Sequence, residues 1–547
     1  MSVLPSSVPE SLPEEKEFTA LDRVFGNFLC RKAGEESEAL CALGMELISA
    51  RREGHSFIYL SPEKQQLVKK HLCLTDEKQG VLRLEKDKLY LFREFLNERI
   101  VAEAIAKRLL TDAPSANFTD EKINAACGTK LSEEQHRAVR TALSHAFALI
   151  SGGPGTGKST IITAVAELEL ERNPQSRIRI AAPTGKAAQL LADSLKEKLP
   201  ERGLEARTLH KLFGIDVETS KFKHNRENPL ECDLLIVDEC SMVSLSLAAN
   251  IFRGLRPETR VVLVGDHRQL ESIESGAVLA ELLSREVPPL LAGATAELIE
   301  NHRSSKAPQI QALAAKIREE VASPEEICQL LASENTDDCS FFPDVSDELM
   351  LKMARERWGE LRKLAADPAN KTEAFKQLNG FRILTANRIG PGGCNEINAR
   401  IMKTLGLRSR FVPGSALMVT RNSDATGLAN GDVGLVFAAE GENRVFFEHC
   451  NRSFSPSQLP PHESAFATTV HKAQGSGFDE VFFALPQPES PLLSRELFYT
   501  ALTRAKLKIT IAGPRESVVN ALSRRCSRNS CRAERITRFL ENEKNGL

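Results

Sequence analysis

Residues 148–160 read Ala-Leu-Ile-Ser-Gly-Gly-Pro-Gly-Thr-Gly-Lys-Ser-Thr. The apolar start predicts a short buried strand, and the spacing of Gly152, Gly157, Lys158 and Ser159 matches G-x-x-x-x-G-K-S/T, the phosphate-binding loop between a strand and a helix. Glycines let backbone N–H groups close around phosphate oxygens, and the following helix directs its positive end at them. We therefore expect ATP here, with Lys158 on its β- and γ-phosphates and the Ser159 hydroxyl on Mg²⁺.

A helix is predicted to open just upstream of this loop, at residues 131–135. Ser132 is a plausible N-cap, and Gln135 is placed to complete a capping box with it. The alternative is that the Gln135 amide contacts the adenine edge, and both interpretations remain open. The expected ATP-binding residues are Gln135, Gly152, Gly153, Pro154, Gly155, Thr156, Gly157, Lys158, Ser159 and Thr160.

The composition is that of an ordinary soluble protein. Its 547 residues are enough for about three to four domains. With 72 basic and 74 acidic residues the net charge is −2, so a nucleic-acid surface would have to be a local patch. No apolar run approaches the ~18 residues that span a bilayer. Residues 1–17 lack the features of a secretory signal and predict a disordered tail, so we expect a cytoplasmic protein with reduced thiols.

Two segments precede the predicted nucleotide-binding domain. Residues 18–112 show apolar residues at helical spacing and no chemical motif, which predicts a helical module for packing or subunit docking. Residues 113–129 carry Asp, Pro, Ser, Asn and Gly, as expected for a linker.

Strands and helices alternate after the phosphate-binding loop. Apolar runs at residues 178–182, 234–237 and 261–265 predict strands that are buried on both faces. This alternation is typical of a parallel sheet with its site along the carboxyl edge. We assign residues 130–297 to this ATP-binding α/β domain.

Two of these strands end in polar residues. Asp238 follows the second strand and can hold Mg²⁺, directly or through water. Glu239 beside it can polarise the attacking water as general base. Gln269, just past the third strand, could sense the γ-phosphate.

The second half changes character in its middle. Residues 298–410 and 461–547 again suggest strands and helices, whereas residues 411–460 contain short predicted strands and the tight-turn dipeptide Asn430-Gly431. We expect a small β-barrel inserted into a second α/β domain.

Near the C-terminus, arginines cluster with Glu534 as the opposing charge. Such a run is most often a solvated face, and the alternative is contact with DNA phosphates or with a partner subunit. The cluster consists of Arg524, Arg525, Arg528, Arg532, Arg535 and Arg538.

The order of these stretches resembles the successive motifs of superfamily 1 helicases. Within that superfamily the chain resembles the RecD family of its 1B branch, the α subunits of bacterial exodeoxyribonuclease V (RecBCD). The similarity rests on residues 131–135, 152–159, 182–188, 207–210, 238–242, 265–270, 303, 469–475 and 499–504.

The resemblance implies two RecA-like P-loop NTPase domains with parallel sheets and with ATP in the cleft between them. The second domain would supply Arg303 and Arg504 as arginine fingers that stabilise charge on the transferring phosphoryl group. The insertion would be an SH3-like β-barrel. The expected catalytic residues are Lys158, Asp238, Glu239, Gln269, Arg303 and Arg504, with Ser159 and Asp238 as Mg²⁺ ligands.

The resemblance also implies DNA contacts, at Thr184, Lys186, His210 and His471. Residues 213–232, which contain Lys221, Lys223, His224 and Arg226, occupy the place of a pin that divides the duplex, or form a polar surface loop. One departure is visible, because Gly477 stands where the family usually has an acidic residue.

The family's activity implies an ATP-dependent 5′-to-3′ DNA helicase that acts on single- and double-stranded DNA. It would be the motor subunit of a helicase–nuclease that processes double-strand breaks for recombinational repair, in a heterotrimer with the β and γ subunits. The sequence shows no nuclease carboxylate cluster, so cutting would belong to a partner. The alternatives are a stand-alone superfamily 1B helicase and a non-catalytic regulatory subunit.

Overall fold

The structure of the protein is a computed structural model. Two sequence predictions, the tail at residues 1–17 and the arginine finger Arg303, lie outside the described residues. The structure describes residues 18–76, 80–111, 118–216, 219, 221–271, 281–283, 288–301, 307–333, 335–343, 347–423, 425–439, 441–450, 452–487, 490–525 and 528–544.

The N-terminal module combines helices with a small antiparallel sheet. Its elements are α1 (Ala20–Ala33), α2 (Glu38–Arg52), β1 (Phe57–Tyr59), α3 (Pro62–Lys70), α4 (Leu72–Thr75), β2 (Leu82–Glu85), β3 (Lys88–Leu91) and α5 (Phe92–Leu109). The strands pair in the order β1-β3-β2. The helices agree with the predicted helical module, and the small sheet is a feature that this prediction did not include. Leucines that alternate with polar residues between Leu82 and Leu91 give the strand signal that the helical interpretation missed.

A parallel sheet of six strands forms the next layer, in the order β6-β5-β7-β8-β4-β9. Residues alternate between its two faces, so Leu149 and Ile150 of β4 enter different apolar clusters. The strands are β4 (Phe147–Gly152), β5 (Ile178–Ala182), β6 (Ala206–Thr208), β7 (Leu234–Val237), β8 (Arg260–Gly265) and β9 (Thr295–Leu298). The helices around it are α6 (Asp120–Cys127), α7 (Glu133–Ser144), α8 (Lys158–Arg172), α9 (Gly185–Lys198), α10 (Leu209–Phe213), α11 (Leu245–Arg253) and α12 (Pro289–Gly293).

The carboxyl ends of these parallel strands lie at one edge of the sheet. The phosphate-binding loop follows β4, Asp238 and Glu239 follow β7, and Asp266 follows β8. Every residue of β4, β7 and β8 is buried, because helices cover both faces. The fold therefore places Lys158, Asp238 and Glu239 at one edge of this sheet, as the strand pattern predicted.

The second half contains a further parallel sheet, in the order β10-β19-β18-β11-β17, and an antiparallel sheet, in the order β15-β14-β13-β12-β16. Its strands are β10 (Cys339–Phe342), β11 (Phe381–Thr385), β12 (Ala416–Val419), β13 (Val433–Ala439), β14 (Glu442–Phe447), β15 (Ser453–Phe454), β16 (His462–Ser464), β17 (Ala467–Thr469), β18 (Phe478–Ala484) and β19 (Ala505–Ala512). Its helices are α13 (Pro308–Glu319), α14 (Pro324–Ser333), α15 (Asp347–Trp358), α16 (Leu361–Leu364), α17 (Lys371–Gly380), α18 (Cys394–Thr404), α19 (Arg495–Leu502), α20 (Arg515–Ser523) and α21 (Arg532–Lys544).

The antiparallel sheet is the expected insertion between α18 and β17. It extends to Ser464, a few residues beyond the boundary that the sequence suggested, because β16 pairs with β12. Its closure into an SH3-like barrel stays a prediction.

The C-terminal helix α21 does not pack on the second parallel sheet, to which the sequence assigned it. Ile536 and Leu540 join Val101 and Ile105 of α5 in the apolar cluster on one face of the first sheet. The chain thus crosses back from α20 to the N-terminal module. No helix in the described part of the chain is both long and apolar enough to cross a bilayer.

Candidate functional site

The phosphate-binding loop has the conformation that its glycines allow. Gly157 adopts φ 88°, a left-handed value that favours glycine, and it directly precedes α8. A Cβ at this position would lie 2.4 Å from Nε2 of Gln135. Glycine is thus required at 157 both by the backbone and by its neighbour.

The Lys158 ammonium lies within the loop. Its Nζ donates to the carbonyl oxygens of Gly152 at 2.7 Å and of Gly153 at 3.1 Å. The Thr156 hydroxyl donates to the same Gly153 oxygen at 2.9 Å. When a nucleotide binds, Lys158 can exchange these carbonyls for phosphate oxygens, because an ammonium binds a charged oxygen more strongly than a neutral one.

Gln135 forms the predicted capping box and also contacts the loop. Its Oε1 accepts from the backbone N–H of Ser132 at 3.0 Å, while the Ser132 hydroxyl accepts from the Gln135 N–H. Its Nε2 donates to the Thr156 carbonyl at 3.0 Å. The residue therefore fixes the loop to the start of α7, and its contact with adenine stays a prediction.

A cavity of about 350 Å³ opens beside the loop, and we call it the Lys158 cavity. It brings residues of both parallel sheets together. Thr160 lies in its wall, and the Thr160 hydroxyl accepts from Lys198 at 3.0 Å. The expected site residues that line this cavity are Pro154, Gly155, Gly157, Lys158, Ser159, Thr160, Asp238, Glu239, Gln269 and Arg504.

The two carboxylates of the site have unusual surroundings. Asp238 is 8% exposed, and its Oδ1 accepts from the backbone N–H of Glu239 at 2.8 Å. Burial raises the pKa of Asp238 to about 6, with the Glu239 charge adding to the effect and the Lys158 ammonium opposing it. Glu239 adopts φ 51°, and within the described residues its buried Oε2 has no hydrogen-bond partner.

These residues fit a magnesium ion. A desolvated carboxylate on Asp238 gains from a nearby cation, and the exposed Ser159 hydroxyl lines the same cavity. Carboxylate and hydroxyl oxygens, together with phosphate oxygens, are the ligands that Mg²⁺ prefers.

Hydrogen bonds join the first parallel sheet to the second at the floor of this cavity. Nη2 of Arg504 donates to Oε1 of Gln269 at 3.0 Å, and Gln269 Nε2 donates to Asp266 at 3.1 Å. The Tyr499 hydroxyl donates to the same Asp266 carboxylate at 3.2 Å. Gln269 thus lies between a carboxylate of the first sheet and a guanidinium of the second half.

Two further hydrogen bonds connect the same two parallel-sheet units. The backbone N–H of Leu270 donates to the Thr500 hydroxyl at 2.8 Å, and Gln474 donates to the Leu270 carbonyl. Arg504 itself donates to the Ser476 carbonyl at 3.0 Å. Arg504, the expected arginine finger, is therefore a buried link between the two sheets, 4% exposed.

A second cavity, of about 400 Å³, lies on the other side of the loop. Gly153, Pro154 and Thr156 line it, together with Gln311 and Lys506 from the second half. This side of the site could not be predicted from the sequence, because α13 carries no recognisable motif. It adjoins Asn301, whose Nδ2 donates to the Pro154 carbonyl at 3.1 Å.

The residues expected to contact DNA line a single cavity of about 410 Å³, which we call the Thr184 cavity. Thr184 caps α9, since its hydroxyl accepts from the Ala187 N–H at 3.2 Å. Burial and the nearby Arg528 charge lower the pKa of His471 to about 4, so its ring is neutral near pH 7. The lining residues are Pro183, Thr184, Lys186, His210, Met242, Ser244, Leu247, Asn430, Gly431, His471, Lys472, Gln474 and Ser476.

The Thr184 cavity has three walls. The first sheet contributes the loop after β5, the second half contributes residues 471–476, and the insertion contributes its Asn430-Gly431 turn. A Cβ on Gly185 would lie 3.1 Å from the Ala429 Cβ, which shows how closely the insertion approaches the first sheet. The Asn430 contribution was missed because a tight turn carries no functional signal in the sequence.

Residues 213–232 contain a small hairpin. Ile215 and Phe222 form an antiparallel bridge, and the Lys223 N–H donates to the Gly214 carbonyl at 3.0 Å. The exposed Lys221 and Lys223 lie on this projection. The role of this segment as a pin stays a prediction.

The C-terminal arginines do not form a solvated face, which is the most common arrangement for such a run of charges. Arg532 is fully buried and pairs with Glu281 at 2.6 Å, and Arg535 pairs with Glu85 at 2.6 Å and Glu98 at 3.3 Å. These contacts fix α21 to the N-terminal module. Arg524 and Arg525 are the exposed members of the cluster among the described residues.

Comparisons with known proteins agree with this geometry. A family model described as an AAA domain matches residues 135–275, and one described as a UvrD-like helicase C-terminal domain matches residues 464–512. The RecBCD enzyme subunit RecD of Mycolicibacterium smegmatis is 36% identical over 469 residues, which cover 82% of this chain and 82% of that protein. This chain belongs to the RecD family.

Two further likenesses accompany this RecD-family assignment. The ATP-dependent RecD2 DNA helicase of Deinococcus radiodurans is 30% identical over 464 residues, which cover 82% of this chain and 58% of that protein. A crystal structure of Bacteroides Pif1 bound to ssDNA aligns with a TM-score of 0.40 and 19% identity, over 70% of this chain and 92% of that chain.

The departure of this RecD-family chain at Gly477 has a local explanation. A Cβ at 477 would lie 3.1 Å from Cε of Lys506, so an acidic side chain there would meet the lysine. Here the Lys506 ammonium lies 3.8 Å from Asp479 instead. Lys506 thus lies close to both Gly477 and Asp479.

Proposed function

We propose that this chain, an ATP-hydrolysing DNA helicase of the RecD family, moves 5′ to 3′ along single-stranded DNA as the motor subunit of a helicase–nuclease. In that complex it would process double-strand breaks for recombinational repair. The observation that carries the proposal is the bond between Gln269 and Arg504 at the Lys158 cavity. Gln269 and Arg504, one group from each parallel-sheet unit, line the same cavity, and the reacting phosphate would lie there.

The chemistry follows from the residues at this cavity. Lys158 neutralises phosphate charge, and Glu239 takes the proton of the attacking water. Asp238 and Ser159 would hold a magnesium ion, which would neutralise charge on the phosphates. Arg504 stabilises the charge that develops on the transferring phosphoryl group, and Arg303 is expected to act beside it.

Hydrolysis would be converted to movement through Gln269. Its amide oxygen is held by Arg504 and its amide nitrogen by Asp266, so loss of the γ-phosphate alters a contact that both sheets share. When the two sheets part, the walls of the Thr184 cavity also part, because each sheet supplies one wall. A strand held there would advance with each cycle.

The Thr184 cavity suits a nucleic-acid backbone. The exposed Lys186 supplies a cation, and the neutral His471 ring supplies a hydrogen bond rather than a charge. Such groups hold phosphates without reading sequence. The 5′-to-3′ direction rests on membership of the family, and the hairpin at 213–232 is proposed as the pin that meets the duplex.

The N-terminal module would dock onto the β and γ subunits. Its helix α1 exposes Leu21 at 65% and Val24 at 58%, whereas Leu29 of the same helix is buried. Apolar side chains in a row along an exposed helix are typical of a surface that a partner covers. We assign DNA cleavage to a partner subunit.

The test measures ATP hydrolysis and oligonucleotide binding by Lys158→Gln. We expect hydrolysis and unwinding to be lost while DNA binding survives, because Lys158 lines the nucleotide cavity and not the Thr184 cavity. Lys196→Gln, a change at an exposed lysine of α9, is the matched control and should behave as wild type. Normal ATP hydrolysis by Lys158→Gln would overturn the proposal.

A stand-alone helicase is the second candidate, and the identity to the RecD2 DNA helicase favours it. Purification of the untagged complex from the native source separates the two. Co-purification with two larger subunits supports the motor-subunit proposal, whereas a monomer with processive unwinding supports the stand-alone role.

A further inference from the structure

A single short turn connects Glu239, the proposed general base, to the Thr184 cavity. Residues Cys240–Met242 form a 3₁₀ turn directly after Glu239. The backbone N–H of Met242 donates to the Glu239 carbonyl at 3.1 Å, and the Val243 N–H donates to the Cys240 carbonyl at 3.0 Å. A displacement of Met242 is therefore passed directly to the backbone of Glu239.

The Glu239 backbone is held from both sides in a strained conformation. On one side its N–H donates to Asp238, and on the other its carbonyl accepts from Met242. It adopts φ 51° and ψ 40°, a left-handed conformation that side-chain-bearing residues rarely occupy and that is concentrated at functional sites.

The Glu239 side chain, in contrast, is not fixed by hydrogen bonds at its end. Its buried Oε2 has no partner within the described residues, and neither has the hydroxyl oxygen of Ser241 in the same turn. A small rotation of the backbone would thus re-aim the carboxylate without breaking a hydrogen bond of Oε2.

The Met242 side chain lines the Thr184 cavity. Lys186 and Thr184 give that cavity a polar wall, whereas Met242 and Leu247 give it an apolar one. A single-stranded nucleotide has the same two sides, a phosphate and a flat apolar base. Methionine is flexible and packs well against ring edges and faces, so a base that enters the cavity would press on Met242.

We propose that Met242 is a positioning residue that reports the presence of a DNA base to Glu239. A base packed on Met242 shifts the 3₁₀ turn, and the shift aligns the Glu239 carboxylate with the water that attacks ATP. ATP hydrolysis then becomes faster when a strand occupies the cavity. The inference rests on the proposed function and adds the path from DNA to the catalytic base.

Leu247 provides the matched control. It lines the same cavity but lies on α11, beyond the N-cap residue Ser244, whose hydroxyl accepts from the Leu247 N–H at 3.3 Å. Its backbone has no hydrogen bond to Glu239 within the described residues. Truncation of Leu247 removes apolar surface from the cavity and leaves the connecting turn intact.

The experiment measures ATP hydrolysis without DNA and with increasing oligo-dT, alongside oligo-dT binding by anisotropy. For Met242→Ala we expect the stimulation at saturating oligo-dT to fall by about tenfold, because a misplacement of a catalytic group by about 1 Å can cost a hundredfold. Met242→Leu should retain most of the stimulation. Leu247→Ala should bind oligo-dT more weakly yet reach the wild-type stimulation at saturation.

An oligonucleotide of the same length without bases gives a second measurement on the wild-type protein. It retains the phosphates, so we expect it to bind but to stimulate hydrolysis no more than oligo-dT stimulates Met242→Ala. Full stimulation by this abasic strand, or wild-type stimulation of Met242→Ala at saturation, would overturn the inference. Absence of any stimulation of the wild-type protein would overturn the proposed function itself.

Discussion

The Gln269 amide oxygen accepts a hydrogen bond from Nη2 of Arg504 at 3.0 Å, and this bond joins the two parallel-sheet units of the molecule. Arg504 also donates to the Thr500 and Ser476 carbonyls. These contacts use Nε, Nη1 and Nη2 of its planar guanidinium, and the single nitrogen of a lysine ammonium cannot occupy all three positions. The geometry explains why an arginine is needed at 504 and why Gln269 lies opposite it.

Substitution of Arg504 by lysine should therefore be severe although the charge is kept. We expect Arg504→Lys to lower kcat for ATP hydrolysis by at least about a hundredfold, the usual effect of removing one group that stabilises a developing charge. The KM for ATP should change little. Arg495→Lys, at the first residue of α19, is the control: Arg495 donates to the Leu522 carbonyl and not to Gln269, so this variant should retain activity.

Gln269 and Arg504 should also behave as a coupled pair. The losses of activity in Gln269→Ala and Arg504→Lys are expected not to add in the double variant, because each single change breaks the same bond. A double-mutant cycle on kcat measures this coupling. Additive losses would show that the bond has no part in hydrolysis.

Lys186 should contribute a phosphate contact in the Thr184 cavity. We expect Lys186→Ala to weaken binding to oligonucleotides of any sequence and to reduce the slope of log affinity against log salt by about one. Lys196→Ala removes an exposed lysine from the other end of α9 and should leave the slope unchanged. Binding isotherms at several salt concentrations measure both slopes. Equal slopes for Lys186→Ala and Lys196→Ala would contradict the proposed phosphate contact.

His471 should make the stability of the folded protein depend on pH. Its pKa falls from 6.5 to about 4 on folding, so the unfolded chain binds more protons between these values. The contribution of His471 to the free energy of unfolding is therefore fully present above pH 6.5, where the ring is neutral in both states. This contribution is lost as the pH falls towards 4. Thermal unfolding of wild type and His471→Gln at several pH values should show a flatter dependence in the variant, and equal slopes would refute the effect.

The buried arginines of α21 should matter for stability rather than for DNA binding. Arg532→Met leaves Glu281 without its buried cation and removes one of the two arginines beside Glu98, so it should cost about 3–5 kcal/mol of unfolding free energy. Arg525→Met, at a side chain that is 60% exposed, should cost less than about 1 kcal/mol. Urea unfolding of both variants tests the contrast, and a larger loss in Arg525→Met would contradict it.

Much of the site could be predicted because its signals are local in sequence. The turn at Gly152–Lys158 needs its own glycines, and Asp238 follows a strand whose apolar run is unbroken. Ser132 and Gln135 are close enough for their capping box to be recognised directly. The alternation of strands and helices also predicted the edge of the sheet at which these groups lie.

Other features depend on partners that are distant in sequence. Arg535 and Glu98 lie 437 positions apart, so nothing near the arginine cluster indicates that it is buried. The role of Met242 likewise needs the Thr184 cavity, which forms only when loops from both sheets and the insertion converge. The sheet in the N-terminal module was missed for a different reason, since its short strands lie between strongly periodic helices.

In the proposed function, ATP hydrolysis between the two parallel-sheet units drives this chain along DNA. The most direct measurement is ATP-dependent strand displacement from two partial duplexes that differ only in a 5′ or a 3′ single-stranded tail. We predict displacement from the 5′-tailed duplex alone, and none by Lys158→Gln. Displacement from the 3′-tailed duplex alone, or equal displacement by Lys158→Gln, would contradict the account.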